Sequence, residues 1–176
     1  MSKGKVNVLA GHTKTGKTTF IKNTFCNNAG DKEIIAYVRL RDDFNITGAK
    51  VFNNFVEFLH YIKDKKNCLI IIDEGWTALP DKLNITMGKP NKLDNILADF
   101  LVNAPKMNNF VFIIYHAFAQ IPNKWLIPYL DYLIAFKTND MYNIQVRRFQ
   151  SFPEIARYLS GKPITENYVK KTLKLR

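Results

Sequence analysis

Cysteine is scarce in this sequence, and long apolar runs are absent. The two cysteines, Cys26 and Cys68, do not form a Cys-x-x-Cys pair, which excludes a zinc ribbon or a thioredoxin-type redox motif. We expect both to be buried thiols in a reducing compartment. The longest apolar runs, residues 69–72 and 110–115, fall far short of the roughly 20 residues that a membrane-spanning helix needs. No signal-peptide pattern is found at the amino terminus. We therefore expect no transmembrane segment and a cytoplasmic location.

Acidic residues are also few. The chain of 176 residues has 15 Asp and Glu against 26 Lys and Arg, so its formal net charge is +11. A basic protein gains affinity for nucleic acid because binding releases the counterions of the phosphates, which makes DNA a candidate partner. The length suits one domain. We expect that domain to span residues 1–161, and the basic residues 162–176 to be a tail or an arm that docks on a neighbour.

Strand-like and helix-like apolar patterns alternate along the chain. β-favouring runs occupy residues 5–10, 33–40, 68–73, 110–116, 133–136 and 144–149. Helical spacing occurs in residues 17–27, 51–63 and 93–102, and shorter helices are expected at 125–129 and 153–159. This alternation predicts an α/β fold, a mostly parallel sheet with helices on both faces.

A phosphate-binding pattern follows the first strand. It reads Gly11, His12, Thr13, Lys14, Thr15, Gly16, Lys17, Thr18, and Thr19 comes directly after it. The pattern Gly-x-x-x-x-Gly-Lys-Thr between a strand and a helix is typical of a P-loop, whose backbone N–H groups surround the phosphates of a nucleotide such as ATP. We expect Lys17 to bridge the β- and γ-phosphates, and the Thr18 hydroxyl to bind Mg²⁺. Thr19 could reach the α-phosphate.

Two carboxylates follow the apolar run 69–72. Asp73 and Glu74 come at the carboxyl end of a predicted buried strand, where open parallel sheets bind their ligands. Asp73 is predicted to hold Mg²⁺, and Glu74 to polarise the water that attacks the γ-phosphate. His116 ends the next core strand and is expected beside these acids, as a γ-phosphate sensor or to position the water. Gln120 is the alternative for that role.

Together these motifs resemble the additional-strand, RecA-like P-loop ATPases of the FtsK/HerA superfamily. The chain looks most like the small DNA-packaging ATPases of tailless icosahedral and filamentous viruses, over about residues 6–149. The resemblance implies an ATPase that translocates or packages DNA as a homo-oligomeric ring, a hexamer, with capsid or vertex proteins as further partners. It also implies a location in the host cytoplasm or on the virion.

The sequence departs from that family in two places. The family usually has Gln at the end of the strand where this chain has His116. Such ATPases also commonly supply an arginine to a neighbouring subunit's site, and the corresponding stretch here holds Lys106. Arg148 is assigned this catalytic role, with Lys106 and Arg147 as alternatives, although lysine lacks the planar fork of arginine.

Two other functions remain open from the residues alone. Asp73, Glu74 and Gly75, followed by Pro80 and Asp81, resemble a segment of thymidine kinases, which suggests a nucleoside or nucleotide kinase. An ATPase of filamentous phage assembly or export is the other alternative.

Overall fold

The computed structural model describes residues 3–39, 44–89, 92–136 and 170–175 of the chain. Its strands are β1 (Lys5–Ala10), β2 (Glu33–Tyr37), β3 (Lys50–Phe52), β4 (Cys68–Ile72), β5 (Phe110–Tyr115), β6 (Tyr132–Phe136) and β7 (Lys170–Lys174). Its α-helices are α1 (Lys17–Thr24), α2 (Phe55–Ile62), α3 (Gly75–Ala78), α4 (Leu93–Asn103) and α5 (Asn123–Leu126). Short 3₁₀ turns occupy Cys26–Asn28, Phe118–Gln120 and Ile127–Tyr129.

The described strands form one sheet in the order β3-β2-β4-β5-β1-β6-β7. β1 to β6 are parallel, and β7 pairs with β6 antiparallel at the edge. The predicted α/β fold with a mostly parallel sheet is confirmed. β5 lies between the strand that leads into the phosphate loop and the strand that precedes the acidic pair, and this insertion is the additional strand of the predicted fold class.

The sheet is covered on both faces, as predicted. Along β4, Ile70 and Ile72 pack in the cluster that includes α2 and α4, whereas Leu69 and Ile71 pack in the cluster that includes α1. Successive side chains of a strand point to opposite faces, so a strand buried on both faces is apolar throughout. β4 is fully buried along its length for this reason.

The predicted helix over residues 51–63 is wrong in its first part. Lys50–Phe52 forms β3 and pairs with β2, and α2 begins only at Phe55. Phe52 and Phe55 are three residues apart, which fits a helical stripe, but parallel pairing with a neighbouring strand prevails here. The Asn54 side chain marks the true start, since its oxygen accepts hydrogen bonds from the backbone N–H groups of Val56 and Glu57 at 2.9 and 3.3 Å.

Part of the predicted basic tail belongs to the sheet. Lys170–Lys174 is β7, and it extends the sheet beyond β6 within the same chain. The strand predicted at residues 144–149 and the helix predicted at 153–159 lie outside the described residues.

The cysteines differ in burial. Cys68 is buried at the start of β4, as expected, but Cys26 is only half-buried. Burial raises the pKa of both thiols, that of Cys26 to about 11 although the nearby Lys22 acts to lower it.

Among the described helices, none combines the length and apolar character required to cross a bilayer.

Candidate functional site

The carboxyl ends of β1, β4 and β5 meet at one edge of the sheet and surround a cavity of about 410 Å³. Its lining consists of residues 13–19, Glu74, Ile114 and His116. The phosphate loop, the second acid and the candidate sensor come from three separate segments of the sequence. The order of the strands brings them together, as ligand sites of open parallel sheets require.

The phosphate loop is shaped by its two glycines. Gly16 has a φ of 80° at the start of α1, in the left-handed region that glycine occupies without strain. A Cβ on Gly11 would lie 2.5 Å from Cβ of Phe136, so only glycine fits beside β6. The loop can therefore turn tightly between β1 and α1, and it presents the N-terminus of α1 to the cavity, the preferred place for a phosphate group.

Lys17 lies folded into the loop. Its Nζ donates hydrogen bonds to the carbonyl oxygens of Gly11 and His12, each at 2.7 Å, and the residue is only 5% exposed. The same His12 carbonyl accepts a hydrogen bond from the Thr15 hydroxyl at 2.7 Å. Gly11 and His12 thus contribute backbone carbonyls that hold Lys17, whereas Thr13 to Thr19 form the wall of the cavity.

The two acids after β4 differ in environment. Asp73 is fully buried, and its Oδ1 accepts a hydrogen bond from the backbone N–H of Glu74 at 3.1 Å. The Asp73 backbone N–H donates to the carbonyl of Tyr37, which attaches the turn to β2. Glu74 lines the cavity, with 17% of its side chain exposed.

Glu74 occupies a left-handed backbone conformation, with a φ of 57°. This conformation costs a non-glycine residue about 1–3 kcal/mol and persists only where its surroundings hold it. Here the Glu74 carbonyl accepts hydrogen bonds from the Thr77 backbone N–H and hydroxyl, each at 2.9 Å. Gly75 then packs closely against Ile113 and Tyr115 of β5. The turn therefore directs Glu74 into the cavity by means of contacts that the sequence motif does not reveal.

His116 lies beside Glu74, with Nε2 of His116 3.9 Å from Oε1 of Glu74. The structure thus brings together the two residues that the sequence placed on neighbouring strands. Gln120, the alternative to His116, is not among the residues that line the cavity. Its Oε1 accepts hydrogen bonds from the backbone N–H groups of His116 and Ala117, at 3.2 and 3.1 Å. Gln120 therefore holds the turn that carries His116.

The cationic residues that could complete a neighbouring subunit's site lie in different parts of the chain. Lys106 follows α4, at the opposite edge of the sheet, and donates a hydrogen bond to Oδ1 of Asn103 at 3.3 Å. Arg147 and Arg148 lie outside the described residues. Arg39, which no sequence motif indicates, is exposed just after β2 at the cavity's edge of the sheet. Burial raises the pKa of the Tyr37 hydroxyl, and Arg39 and Glu74 act on it in opposite directions.

Two oxygen donors could hold a magnesium ion: the Thr18 hydroxyl, which lines the cavity, and the Asp73 carboxylate, which is not among the lining residues. The buried Asp73 carboxylate and the Thr18 hydroxyl are the hard oxygen ligands that Mg²⁺ prefers, and such ions keep several waters and phosphate oxygens as further ligands. Within the ranges that the structure describes, no group of three His, Cys, Asp or Glu side chains is arranged to hold a metal.

The fold and the loop define a P-loop NTPase fold of the RecA-like, additional-strand type. Solved structures of viral genome-packaging NTPases share this fold. The genome-packaging NTPase B204 of Sulfolobus turreted icosahedral virus 2, in complex with ATP-gammaS, superimposes with a TM-score of 0.68 at 16% identity, covering 99% of this chain and 98% of that chain. The DNA-packaging ATPase B204 of Sulfolobus turreted icosahedral virus gives a TM-score of 0.67 at 15% identity, with the same coverage.

A third similar structure is the pCW3 conjugation coupling protein TcpA with ATPgS, with a TM-score of 0.60 at 14% identity. The match covers 98% of this chain and 61% of TcpA. No protein-family model matches the chain, and no curated protein matches it. The predicted resemblance to viral packaging ATPases is therefore confirmed for the fold.

Proposed function

We propose that this chain is an ATP-hydrolysing motor that translocates DNA, acting in the packaging of a viral genome. The observation that carries the proposal is the convergence of the phosphate loop, Glu74 and His116 on one cavity. This cavity belongs to a fold that matches a genome-packaging NTPase over nearly the full length of both chains. The basic balance of the chain, +11, agrees with a polyanionic substrate.

Binding of ATP would use the loop as it is already built. The backbone N–H groups of residues 13–18 would surround the phosphates, and Lys17 would exchange its two carbonyl partners for β- and γ-phosphate oxygens. The Thr18 hydroxyl and the Asp73 carboxylate would hold Mg²⁺, which when bound neutralises charge on the phosphates. Thr19, which also lines the cavity, is assigned to the α-phosphate.

Hydrolysis would depend on Glu74. Its carboxylate would accept a proton from a water molecule while the water oxygen forms a bond to the γ-phosphorus, and the bond to the β–γ bridging oxygen would break. His116, 3.9 Å from this carboxylate, is assigned to orient it and to contact the γ-phosphate. The left-handed turn at Glu74 keeps the base at the cavity wall before substrate binds, so little reorganisation is needed.

The assembly is part of the same proposal. A homo-oligomeric ring, with six subunits expected, would place a cationic side chain of one subunit at the cavity of the next. Arg39 is exposed at the same edge of the sheet as the nucleotide cavity, so it is a candidate for this cationic side chain. Arg148 and Arg147 are the other candidates. DNA would pass through the ring, and capsid or vertex proteins would be the docking partners.

The test is phosphate release from ATP, with and without duplex DNA. Lys17→Ala is expected to abolish nucleotide binding, whereas Glu74→Gln should keep ATP binding and lose at least about 100-fold in kcat, because only the proton acceptor is removed. Lys22→Ala on the same helix and Glu57→Gln on α2 are matched controls that should retain activity.

Three results would contradict the proposal. Phosphate appearing on an added nucleoside would establish a kinase instead. A rate that DNA does not stimulate would argue against a DNA motor and favour an assembly or export ATPase. Light scattering that finds only monomers, even with ATP, Mg²⁺ and DNA present, would exclude the ring.

A further inference from the structure

Four lysines converge at the edge of the sheet opposite to the nucleotide cavity. They come from three distant parts of the chain: Lys3 and Lys5 at the start of β1, Lys106 in the turn before β5, and Lys174 in β7. β7 is antiparallel to β6, so Lys174 pairs with Tyr132 at the beginning of β6. These residues line a second cavity, of about 580 Å³, which we name the lysine cavity.

The lysine cavity has a large excess of positive charge. Among the described residues that line the cavity, Asp131 supplies the one carboxylate, which is 8% exposed and accepts a hydrogen bond from the Val6 backbone N–H at 2.8 Å. The Asp131 backbone also bonds to Val6 and Leu175, so this residue joins β1, β6 and β7. Its role is thus structural, and it compensates only part of the charge of four ammonium groups.

Two of these lysines contact neutral groups. Lys106 donates to the Asn103 amide oxygen at 3.3 Å, and Nζ of Lys5 lies 5.7 Å from the centre of the Tyr132 ring. Lys3, Lys106 and Lys174 are exposed. Like charges gathered in this way repel one another and destabilise the folded state, and an anionic partner would relieve that repulsion.

More lysines continue along the same edge. Lys32 precedes β2, and Lys65 and Lys66 precede β4. Lys32 bonds to the Asn67 side chain and the Asn108 carbonyl, and Lys65 pairs with Glu33 at 2.8 Å. A row of lysines of this kind suits a regularly charged chain better than a single small anion, because successive phosphates can each meet an ammonium group.

We propose that the lysine cavity and the edge beside it bind the phosphate backbone of DNA. The inference rests on the proposed function and adds the location of the contact. Contacts with phosphates carry no sequence information and release counterions, so the binding is independent of sequence and strongly dependent on salt. The nucleotide cavity lies at the other edge of the sheet, so DNA binding and basal hydrolysis can be impaired separately.

The test compares two triple variants that remove the same charge. The cluster variant is Lys3→Gln, Lys5→Gln and Lys174→Gln. The control variant is Lys82→Gln, Lys89→Gln and Lys124→Gln, three exposed lysines from other loops and helices. Binding of the full chain to a labelled duplex of about 30 base pairs is followed by fluorescence anisotropy between about 50 and 200 mM salt.

The cluster variant is expected to lose at least about tenfold in affinity at low salt. The slope of log affinity against log salt concentration should also become shallower, by about 0.9 for each of the two to three phosphate contacts that are lost. Its basal ATP hydrolysis should match that of the parent, and its thermal midpoint should be at least as high, because the repulsion among the lysines is reduced. The control variant should bind almost as the parent does, and a duplex of different sequence should give the same result.

Two results with these variants overturn the inference while leaving the proposed function intact: a cluster variant that binds DNA as the parent does, or a control variant that loses as much affinity as the cluster variant. Polyglutamate that competes as well as DNA of equal charge would also overturn it, in favour of an acidic protein partner. If the parent hydrolyses ATP but does not bind DNA at all, the motor function itself fails. Glu74→Gln is the control for the active site. It should lose hydrolysis but bind DNA normally, which would show that DNA binding does not depend on hydrolysis.

Discussion

Substitution of Gly75 would show how the position of Glu74 is maintained. It is the first residue of α3, directly after the left-handed turn at Glu74, and it is buried. A Cβ at this position would lie 2.7 Å from Cγ2 of Ile113 and 2.9 Å from Cζ of Tyr115. Both neighbours are fully buried in β5, in the middle of the sheet, so neither can move aside easily. The change to examine is Gly75→Ala.

Two effects of opposite sign compete in this variant. Alanine is favoured over glycine inside a helix by about 1 kcal/mol, whereas a methyl group forced into a filled core costs about 1–3 kcal/mol. Because both close contacts are shorter than Cβ atoms tolerate, we expect overpacking to prevail, with a net loss of up to about 2 kcal/mol in the free energy of unfolding. Helix propensity alone would predict a more stable protein.

The effect on hydrolysis should be larger than the effect on stability. α3 can accommodate the methyl group only by moving away from β5, and Glu74 would move with it. A displacement of about 1 Å at reacting groups can lower a rate on the order of 100-fold, so we expect kcat to fall between about 10- and 100-fold. Affinity for ATP should change little, because the phosphate loop belongs to β1 and α1.

Urea unfolding followed by circular dichroism measures the stability, and phosphate release well below the unfolding transition measures kcat. Gly88→Ala is the matched control, since Gly88 has a φ of 75° but a Cβ added there would meet no heavy atom within 4 Å. It should lose about 1 kcal/mol through backbone strain and keep its activity. A Gly75→Ala protein with parental stability and parental kcat would refute the reasoning.

Two further predictions concern side chains that the motifs did not reveal. Gln120→Leu should lower kcat about tenfold without changing ATP affinity, because the backbone N–H groups of His116 and Ala117 lose their hydrogen-bond acceptor. Gln120→Glu keeps an acceptor oxygen and should retain activity. Hydrogen bonds from Lys65 and Tyr61 lower the pKa of Glu33, so this carboxylate stabilises the fold above its unfolded pKa of about 4.3, and the contribution is lost as the pH falls through its lower folded pKa. Glu33→Gln should therefore cost less than about 1 kcal/mol near neutral pH, since the pair is partly exposed, and nothing at strongly acidic pH, as measured by urea unfolding.

The outcomes that would contradict these two predictions are specific. For Gln120, a leucine variant with parental kcat, or a glutamate variant as impaired as the leucine variant, would remove the positioning role. For Glu33, an equal loss of stability at neutral and at strongly acidic pH would show that the substitution acts through packing and not through charge.

The local features of this protein could be predicted from the sequence. The phosphate loop is contiguous from Gly11 to Thr18, and glycine spacing, the lysine and the following hydroxyl are all neighbours in the chain. β5, apolar throughout and bounded by polar residues, could be predicted almost to the residue. Even the error at β3 was a local one, since Asn54 carried an N-cap signal that the apolar spacing concealed.

The long-range contacts of this protein depend on the order of the strands in the sheet. Asp131 bonds to Val6, 125 residues away, and this pairing sets β1 beside β6 and gathers Lys5 and Lys174 at one edge. Likewise, the insertion of β5 between β1 and β4 brings His116 to Glu74. No periodicity in the sequence encodes which strands pair, because pairing is chosen by the packing of whole faces and not by neighbouring residues. The chemistry of the phosphate loop and the acids is therefore evident from adjacent residues in the chain, whereas the residues that support them are brought there by the pairing of the strands.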